Sequence, residues 1–460
     1  MKKILTLLLL SFCAAAGAQN HIERVPVAKT YKYRVYLADK KDCGFSVKKP
    51  EQFLSQKAID RRKKFGLKVD RHDLPVTPAY LTTLRQRGLR VCQVSKWNNT
   101  AVVETTNPSV VSGLVALAFV DSVKKVYESP DSVVRVVRRD SLVGKLMNTD
   151  NVYGYGLRQA HMIGADKLHQ AGFCGDGMTI AVIDGGFHNA EVIEALRSCQ
   201  VLGTRNFVDP RRSVYDDQSH GTMVLSCIGT NLPGTLVGTA PNAAFYLLQS
   251  EDGATEFPVE EDNWCAALEY ADSLGVDLVT TSLGYYQYDD PALSHKYYEL
   301  NGLTAVNSRS ASLAASRGLV LLNSAGNSGR SAWKKIGFPA DARDILAVGA
   351  VNADGLNTRF SSVGNSADGR VKPDVMAMGE RSAVIDSEGS LTFVNGTSFS
   401  CPILCGGVAC LMQAFPNKRP EVVIDAVRRS GNNANHPDNI FGYGIPDLWK
   451  AYEILKSSKK

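Results

Sequence analysis

The sequence reads Ile180-Ala181-Val182-Ile183-Asp184-Gly185-Gly186 at a point where an apolar run ends in an acid and two glycines. The run begins at Met178 and is rich in β-branched side chains, which is typical of a parallel strand buried on both faces. Open α/β sheets bind their ligands at the carboxyl ends of such strands. The segment predicts an α/β fold with Asp184 at a strand end. A carboxylate that merely caps a turn fits this segment equally well.

A histidine and a serine stand beside glycines later in the chain. His220 lies in Ser219-His220-Gly221-Thr222, between a polar loop and an apolar helical stretch. Ser398 follows Asn395-Gly396-Thr397 and precedes a second apolar helical stretch, with Pro402 expected in its first turn. A serine at a helix N-terminus lies at the positive end of the dipole, where backbone N–H groups bind anions. A structural histidine and an ordinary N-cap are the alternatives.

A fourth segment supplies a side-chain amide. The predicted strand Leu319–Leu322 ends in a loop of small residues that carries Asn327. An amide at this place can donate a hydrogen bond to an oxyanion. The chain order of aspartate, histidine and serine is one of three known orders for a triad of nucleophile, base and orienting carboxylate.

Together these segments resemble the motifs of the subtilisin-like (subtilase, S8-type) serine endopeptidases, in a branch of Bacteroidetes-like bacteria. Thr281–Gly284, Phe360–Ser362 and Lys372–Asp374 match further family segments, and the resemblance spans roughly residues 155–455. It implies a parallel sheet of around seven strands with helices on both faces. It also implies peptide-bond hydrolysis that requires no cofactor, with these catalytic residues: Asp184, His220, Ser398 and the oxyanion donor Asn327.

The resemblance implies substrate-binding residues as well. Two segments flank the specificity pocket, and a glycine lies at its floor: Ser282, Leu283, Gly284, Ser324, Ala325, Gly326 and Gly337. The first segment would also pair with the substrate backbone as an added strand. Because a glycine leaves the pocket deep and no acid is in these segments, we expect a large apolar residue immediately before the scissile bond.

The chain departs from the family pattern in three segments. Gly185 replaces the serine or threonine that usually supports the catalytic carboxylate. The helix after the histidine continues Met223-Val224-Leu225-Ser226, and the helix after the serine continues Phe399-Ser400-Cys401-Pro402-Ile403-Leu404-Cys405; both differ from the family pattern at several positions. These departures affect the surroundings of the reacting groups and leave the groups themselves in place. A catalytically impaired protease fold that serves as a binding protein is the alternative function.

The N-terminus indicates export. Met1-Lys2-Lys3 precedes a short apolar stretch, and Ala16-Gly17-Ala18 is a cleavage motif, so residues 1–18 are predicted to be a signal peptide. The protein is then periplasmic or secreted. No later apolar run suggests a transmembrane segment.

Charge divides the chain into two parts. The first 150 residues carry 27 lysines and arginines against 13 aspartates and glutamates, and the remainder carries 25 against 33. The basic residues are scattered without a nucleic-acid-binding motif, so nucleic acid is not an expected partner. We expect the basic part to dock on the acidic part.

The basic part has its own pattern of elements. Strands are predicted at 31–38, 89–94, 100–104 and 120–127, and helices at 50–65, 77–87 and 108–117. This order is ferredoxin-like, with an insertion around residues 40–76. It resembles the inhibitory prodomain of subtilases, an α+β domain bound in cis, and makes the chain a zymogen. The predicted boundaries are a prodomain at 19–128, a linker with the processing site at 129–152, and a catalytic domain at 153–460.

Within that linker, Arg138-Arg139 is a dibasic pair for which we favour the interpretation of solvated charges. Nine cysteines remain after the signal peptide, an odd number, and Cys174 with Cys199 is one possible disulfide. Structural calcium is common in the family. Asp216-Asp217 and Asp289-Asp290 are candidate ligands, without the spacing of a known calcium loop.

Overall fold

The structure is a computed structural model and describes residues 21–137, 144–216 and 218–458. The predicted signal peptide, Arg138-Arg139 and Asp217 lie outside the described residues. The N-terminal part contains β1 (His21–Pro26), β2 (Tyr31–Leu37), α1 (Gln56–Lys64), α2 (Pro78–Gln86), β3 (Arg90–Ser95), β4 (Thr100–Thr105), a 3₁₀ helix (Pro108–Ala116), β5 (Val120–Glu128) and β6 (Ser132–Val137).

Four of these strands form an antiparallel sheet in the order β3-β4-β2-β5. This is the order of a ferredoxin-like fold, in which the first and third strands are central, so the predicted α+β domain is confirmed. Its core lies between the sheet, α2 and the 3₁₀ helix. It includes Val35, Leu84, Val103 and Leu114. The insertion between β2 and α2 carries α1.

The segment predicted as a linker contains a strand. β6 pairs antiparallel with β1, from His21 opposite Val137 to Pro26 opposite Ser132. Its sequence, Ser-Val-Val-Arg-Val-Val, is rich in β-branched residues that favour strands. No strand was predicted here, because the segment lies between Asp131 and the pair Arg138-Arg139, as is typical of a linker.

The C-terminal part forms an α/β domain. Its helices are α3 (Leu157–Met162), α4 (Ala165–Gln170), α5 (His220–Gly229), α6 (Val259–Leu274), α7 (Val306–Ser316), α8 (Thr397–Ala414), α9 (Pro420–Ser430) and α10 (Leu448–Ser457). Its strands are β7 (Thr179–Asp184), β8 (Gln200–Asn206), β9 (Asn231–Leu232), β10 (Leu236–Val237), β11 (Ala244–Gln249), β12 (Leu278–Thr281), β13 (Val320–Ser324), β14 (Leu346–Val351), β15 (Val375–Met378), β16 (Ser382–Ile385) and β17 (Leu391–Val394).

Seven of these strands make one parallel sheet in the order β15-β14-β13-β12-β7-β11-β8. The sheet confirms the predicted fold class. β7 is internal, and all six of its residues are buried. Ile180 and Val182 pack with α5 and α8 on one face, whereas Ala181 and Ile183 pack with α6 and α7 on the other. Helices on both faces explain why the strand is apolar at every position rather than alternating.

The helix α8 passes beneath the sheet and is apolar on all sides. Within the described part of the chain, it is the one helix long and apolar enough to span a membrane. However, 89% of that stretch is buried inside the protein. Its cysteines Cys401, Cys405 and Cys410 are fully buried and contribute to the core, as the sequence predicted.

The helix α6 carries acidic side chains on the face that points away from the sheet, and the N-terminal domain covers them. Arg34 of β2 donates to both carboxylate oxygens of Asp262 at 2.7 and 2.8 Å. The backbone N–H groups of Lys96 and Trp97 donate to Glu269 at 2.8 and 3.1 Å. Four of these five residues are buried and Lys96 is partly buried, which makes the interface both polar and desolvated.

The insertion extends the same interface. Arg62 of α1 donates to Asp272 of α6 at 2.8 Å, and Arg61 contacts the other oxygen of that carboxylate. Burial opposes ionisation of Asp272, but the two guanidinium groups outweigh it and lower the pKa of Asp272. Lys57 adds an ion pair with Asp277 at 2.9 Å. The predicted docking of basic side chains on acidic ones is thus visible in individual pairs.

The Cys174–Cys199 disulfide that the sequence left possible does not form in the structure. Both residues are free thiols, as are the other seven cysteines of the described residues. Cys199 lies against Gly229 and Phe245, and burial alone raises the pKa of its thiol to about 12. The sequence suggested the pairing only from the positions of the two residues beside the first strand, and that reasoning was wrong.

Removing the charge of Asp272 should destabilise the full-length chain. The variant Asp272→Asn leaves Arg61 as a buried cation without its carboxylate and leaves Arg62 with Asp73 alone. Such a change typically costs about 3–5 kcal/mol. Urea unfolding in a Ser398→Ala background, which should prevent self-digestion, measures the effect.

The matched control is Asp425→Asn, because Asp425 pairs with Arg429 on the surface, where both side chains are 61% exposed. An exposed pair contributes at most about 1 kcal/mol. Equal losses in the two variants would contradict the interpretation of the interface.

Candidate active site

Asp184 ends β7 and contacts the first residue of α5. The distance from its Oδ1 to Nδ1 of His220 is 2.7 Å, and the same oxygen accepts the N–H of Gly185 at 2.8 Å. The carboxylate is completely buried, and its Oδ2 has no hydrogen-bond partner among the described residues. Gly185 has no side chain that could donate to this oxygen.

The side chain of His220 is 34% exposed and faces the surface of the domain. Burial disfavours its charged form, but the charge and hydrogen bond of Asp184 outweigh burial and raise the pKa of His220. With Nδ1 bonded to Asp184, Nε2 is the nitrogen left for another partner. The ring of Phe399 lies 5.7 Å from the imidazole, so the altered residue at position 399 packs against the histidine.

Ser398 is the second residue of α8, and it is 7% exposed. The N–H groups of a first helical turn have no intrahelical acceptor, so the backbone N–H of Ser398 can bind an anion. Its hydroxyl donates to the carbonyl oxygen of Ser282 at 3.4 Å. In the structure the hydroxyl of Ser398 is thus bonded to the carbonyl group of Ser282, just after β12. Asp184 and His220 are in direct contact.

Pro402 lies inside α8 rather than in its first turn, which corrects the prediction. Because proline lacks an N–H, the carbonyl group of Ser398, four residues earlier, loses its helical donor. The hydroxyl of Ser282 donates to that carbonyl oxygen at 2.8 Å. The proline thus creates the acceptor that ties the serine-bearing helix to the end of β12.

Asn327 lies in the loop after β13, and Thr397 fixes its amide. Its Oδ1 accepts hydrogen bonds from the backbone N–H and the hydroxyl of Thr397 at 2.9 and 3.0 Å. Because a backbone N–H can only donate, the atom it meets must be the amide oxygen. The NH₂ group then points away from Thr397 and remains available as a donor beside the start of α8.

The predicted pocket residues lie on two neighbouring strand ends and on the segment that contains Gly337. Ser282, Leu283 and Gly284 follow β12, while Ser324, Ala325 and Gly326 end β13 and begin the next loop, parallel to it. Gly337 joins the two segments. Its N–H donates to the carbonyl oxygen of Ala325 at 3.2 Å. The next residue, Phe338, exchanges two backbone hydrogen bonds of 2.9 Å with Tyr285, which follows Gly284. A Cβ at Gly337 would meet backbone atoms at 3.5 Å.

A cavity of about 490 Å³ opens beside Ser282 and Leu283. One of its walls is acidic, which the sequence patterns did not predict. It is lined by Asp184, Gly185, Gln218, His220, Glu251, Asp252, Gly253, Ala254, Thr255, Glu256, Ser282, Leu283 and Asp289. Burial and the neighbouring Glu256 raise the pKa of Glu251 to about 8. Burial and Asp289 raise the pKa of Glu256 to about 7.

A sequence signal for this wall existed. β11 pairs in parallel with β7, and Gln249 stands opposite Asp184. The acidic stretch that begins at Glu251 therefore follows a strand end at the same edge of the sheet as Asp184. Glu260, Glu261 and Asp262 come next in the sequence, where acids in a first helical turn are ordinarily explained by the helix dipole.

The candidate calcium ligands do not gather into a site within the described residues. Asp216 accepts the N–H of Ser213 at 3.0 Å, and Asp290 accepts that of Ala292 at 3.0 Å, as in ordinary turns. Asp289 accepts the N–H of Glu256 at 3.0 Å and belongs to the cavity wall. These carboxylates do not form the shell of six to eight oxygens that calcium prefers.

Two family models match the chain. The model of the subtilase family matches residues 175–444, and the model of the peptidase S8 propeptide domain of Bacteroidota matches residues 32–138. The first match spans the α/β domain with Asp184, His220, Asn327 and Ser398. The second spans the ferredoxin-like domain.

Curated relatives agree with this match. Subtilisin NAT of Bacillus subtilis subsp. natto is 31% identical over 297 residues, which are 63% of this chain and 68% of the relative. Subtilisin-like protease SBT6.1 of Arabidopsis thaliana is 27% identical over 314 residues, which are 64% of this chain and 28% of that protein.

Solved structures share the fold at low identity. The epidermin leader peptide processing serine protease (EpiP) of Staphylococcus aureus has a TM-score of 0.64 at 15% identity and covers 94% of this chain and 100% of its own. The MycP3 protease of the type VII (ESX-3) secretion system has a TM-score of 0.53 at 18% identity, covering 67% and 94%. The chain belongs to the subtilase family and is a subtilisin-like serine endopeptidase with an N-terminal S8 propeptide domain.

Proposed function

We propose that this endopeptidase is exported, matures by cutting its own linker, and hydrolyses peptide bonds with Asp184, His220 and Ser398 as its triad. The observation that carries the proposal is the 2.7 Å contact between Asp184 and His220, at the sheet edge where Ser398 begins α8. In this arrangement Asp184 holds the imidazole in one tautomer and stabilises its protonated form.

The reaction follows from these positions. Nε2 of His220 takes the proton of the Ser398 hydroxyl as its oxygen attacks the substrate carbonyl carbon. The NH₂ group of Asn327 and the N–H of Ser398 hold the resulting oxyanion. His220 then protonates the leaving amine, and water releases the acyl group from the serine by the reverse sequence.

Attack requires the serine hydroxyl to leave the carbonyl group of Ser282 and to turn toward His220. The hydrogen bond that it gives up is long, at 3.4 Å, and therefore weak. A substrate strand that pairs with residues 282–284 would bring its scissile carbonyl between Ser398 and Asn327. The rotation is a small cost beside the gain from placing the two reacting groups together.

Self-processing is supported by the way the two domains are joined. The propeptide domain is docked on α6 by buried ion pairs, and residues 144–150 between the domains are exposed and have no helix or strand. We propose a propeptide domain at 19–128, a connecting segment at 129–152 that contains the cut, and a catalytic domain at 153–460. Export would use the signal peptide at residues 1–18.

Alanine at position 398 should block maturation. Residues 19–460 are produced as wild type and as Ser398→Ala, and intact mass and N-terminal sequencing are recorded. Wild type should be trimmed between about residues 129 and 152 and react with a fluorophosphonate probe, because the probe needs an activated serine. The Ser398→Ala chain should stay full length and unlabelled.

The control is Ser112→Ala, which removes an exposed hydroxyl of the 3₁₀ helix that donates to the carbonyl oxygen of Ser109, outside the proposed cut segment and away from the catalytic groups. It should mature like wild type. A wild-type chain that is neither trimmed nor labelled would instead identify a catalytically impaired binding protein. Trimming of Ser398→Ala would assign the cut to another protease.

Truncating Asn327 should slow catalysis without unfolding the protein. Asn327→Ala removes the side-chain oxyanion donor, which typically costs ~10²–10³ in kcat. KM for a peptide substrate should change little, because the donor is used mainly in the transition state. Asn242→Ala, at an exposed amide bonded to Asp176, is the control and should leave both constants unchanged. A loss confined to KM would contradict the assigned role.

The pH dependence should reflect the contact between Asp184 and His220. Only neutral His220 can accept the serine proton, and Asp184 raises the pKa of His220 above its ordinary value. The rate kcat/KM should therefore rise with pH, with a midpoint above the usual 6.5 of histidine. In Asp184→Asn the midpoint should move to lower pH and kcat should fall by ~10⁴. An unshifted midpoint would contradict this coupling.

A further inference from the structure

The acidic wall of the cavity beside His220 is not explained by the catalytic groups. Glu251, Glu256 and Glu260 bring carboxylate oxygens within 4.8 Å of one another. Glu260 is 1% exposed, and its Oε2 has no hydrogen-bond partner among the described residues. The buried Oδ2 of Asp184, on the opposite wall of the same cavity, also has none. Glu251 and Glu256 line the cavity, and with the unpartnered oxygen of Glu260 in the same cluster they form a group of carboxylates that can bind a cationic group.

The position of the cavity tells which part of a substrate would reach it. A substrate strand on residues 282–284 alternates its side chains between two sides. The residue before the scissile bond (P1) points between the segments that end β12 and β13. The residue before it (P2) then points to the other side, where Asp184, His220, Ser282 and Leu283 line the cavity.

We propose that this cavity is a subsite for a lysine or arginine side chain at P2, held by Glu251 and Glu256. The proposal rests on the proposed function and specifies its substrate class: peptides with a basic residue one position upstream of P1. A cavity of about 490 Å³ is far larger than a single metal ion needs, and it accommodates a long side chain. Glu256 and Asp289 also line a neighbouring cavity of about 410 Å³, so the negative wall continues beyond P2.

Burial and mutual repulsion raise the pKa values of both carboxyls in the proposed subsite. The pKa of Glu251 is raised to about 8 and that of Glu256 to about 7, so both titrate near neutrality. The titratable groups that surround these two carboxyls are Asp184, His220, Asp252, Glu260, Tyr285 and Asp289. Tyr127 of the propeptide domain is close to Asp252 and Glu260. A bound ammonium or guanidinium group would favour the ionised carboxylates.

The test compares peptides that differ only at P2. Quenched fluorescent peptides with one P1 residue carry lysine, arginine, norleucine or glutamine at P2, and kcat/KM is measured with the wild-type enzyme. Lysine should exceed norleucine, its uncharged analogue, by about tenfold or more. This ratio should grow as the pH rises from 6 to 8, because the carboxyls ionise over that interval.

The variant Glu256→Gln should lower the ratio of lysine to norleucine by about fivefold or more, since Glu256 is partly exposed and the amide keeps its shape. Glu421→Gln, an exposed acid on α9, is the charge-matched control and should leave the ratio unchanged. A ratio of one in wild type would overturn the proposal. A rise in Tm with calcium chloride that is lost in Glu256→Gln, with no preference at P2, would show a cation site and also overturn it.

Binding separates this proposal from the proposed function. The same peptides are titrated against the Ser398→Ala chain, in which the cavity is present but no turnover is expected. Tighter binding of the lysine peptide than of the norleucine peptide supports the subsite even if wild type shows no hydrolysis. Equal binding overturns the subsite, whatever the outcome of the processing experiment.

Discussion

The parallel register of β7 with its two neighbours determines where Asp184 lies relative to the loops that follow those strands. Thr281 lies opposite Ile183, and Gln249 lies opposite Asp184, so three strands end at the same edge. Asp184 therefore ends beside the segment that begins at Ser282 and the acidic loop that begins at Glu251. A shift of one residue would turn the side chains of β7 to the wrong faces and move the carboxylate away from His220.

Helix α6 links the sheet to the propeptide domain. Its apolar side, with Trp264 and Leu268, packs on the strands, and its acidic side, with Asp262 and Asp272, is buried by arginines of the other domain. A helix with one apolar and one acidic face would ordinarily expose the latter to water. Here the acidic face is desolvated, and its charges are compensated by a separate domain.

The sequence predicted the parts of this molecule that depend on local pattern. Apolar β-branched runs identified the strands, and no end of the four predicted strands of the propeptide domain differs from the structure by more than one residue. The family motifs predicted which side chains approach one another, and Asp184 does contact His220. These features follow from spacing along the chain, which is directly visible in a sequence.

Features that depend on contacts between distant segments were not predicted. The pairing of β6 with β1 joins residues more than a hundred positions apart. The local sequence of β6 does not show whether the segment is a linker or a strand. The wall formed by Glu251, Glu256 and Glu260 requires knowing how a loop folds back on a helix. The possible disulfide was inferred from nearness along the chain alone. Cys174 and Cys199 are nevertheless separate thiols, because pairing depends on how the chain folds between them.

The unequal charge of the two parts of the chain would affect how tightly they associate once the connecting segment is cut. The first 150 residues carry a net charge of 27 − 13 = +14 and the remainder 25 − 33 = −8, which sum to the +6 of the whole chain. A contact that was intramolecular then becomes an equilibrium between oppositely charged proteins. Its strength depends on concentration and on ionic strength, because counterions screen long-range attraction. Dilution into a salty medium would by itself favour the free enzyme, without any further change in the active site.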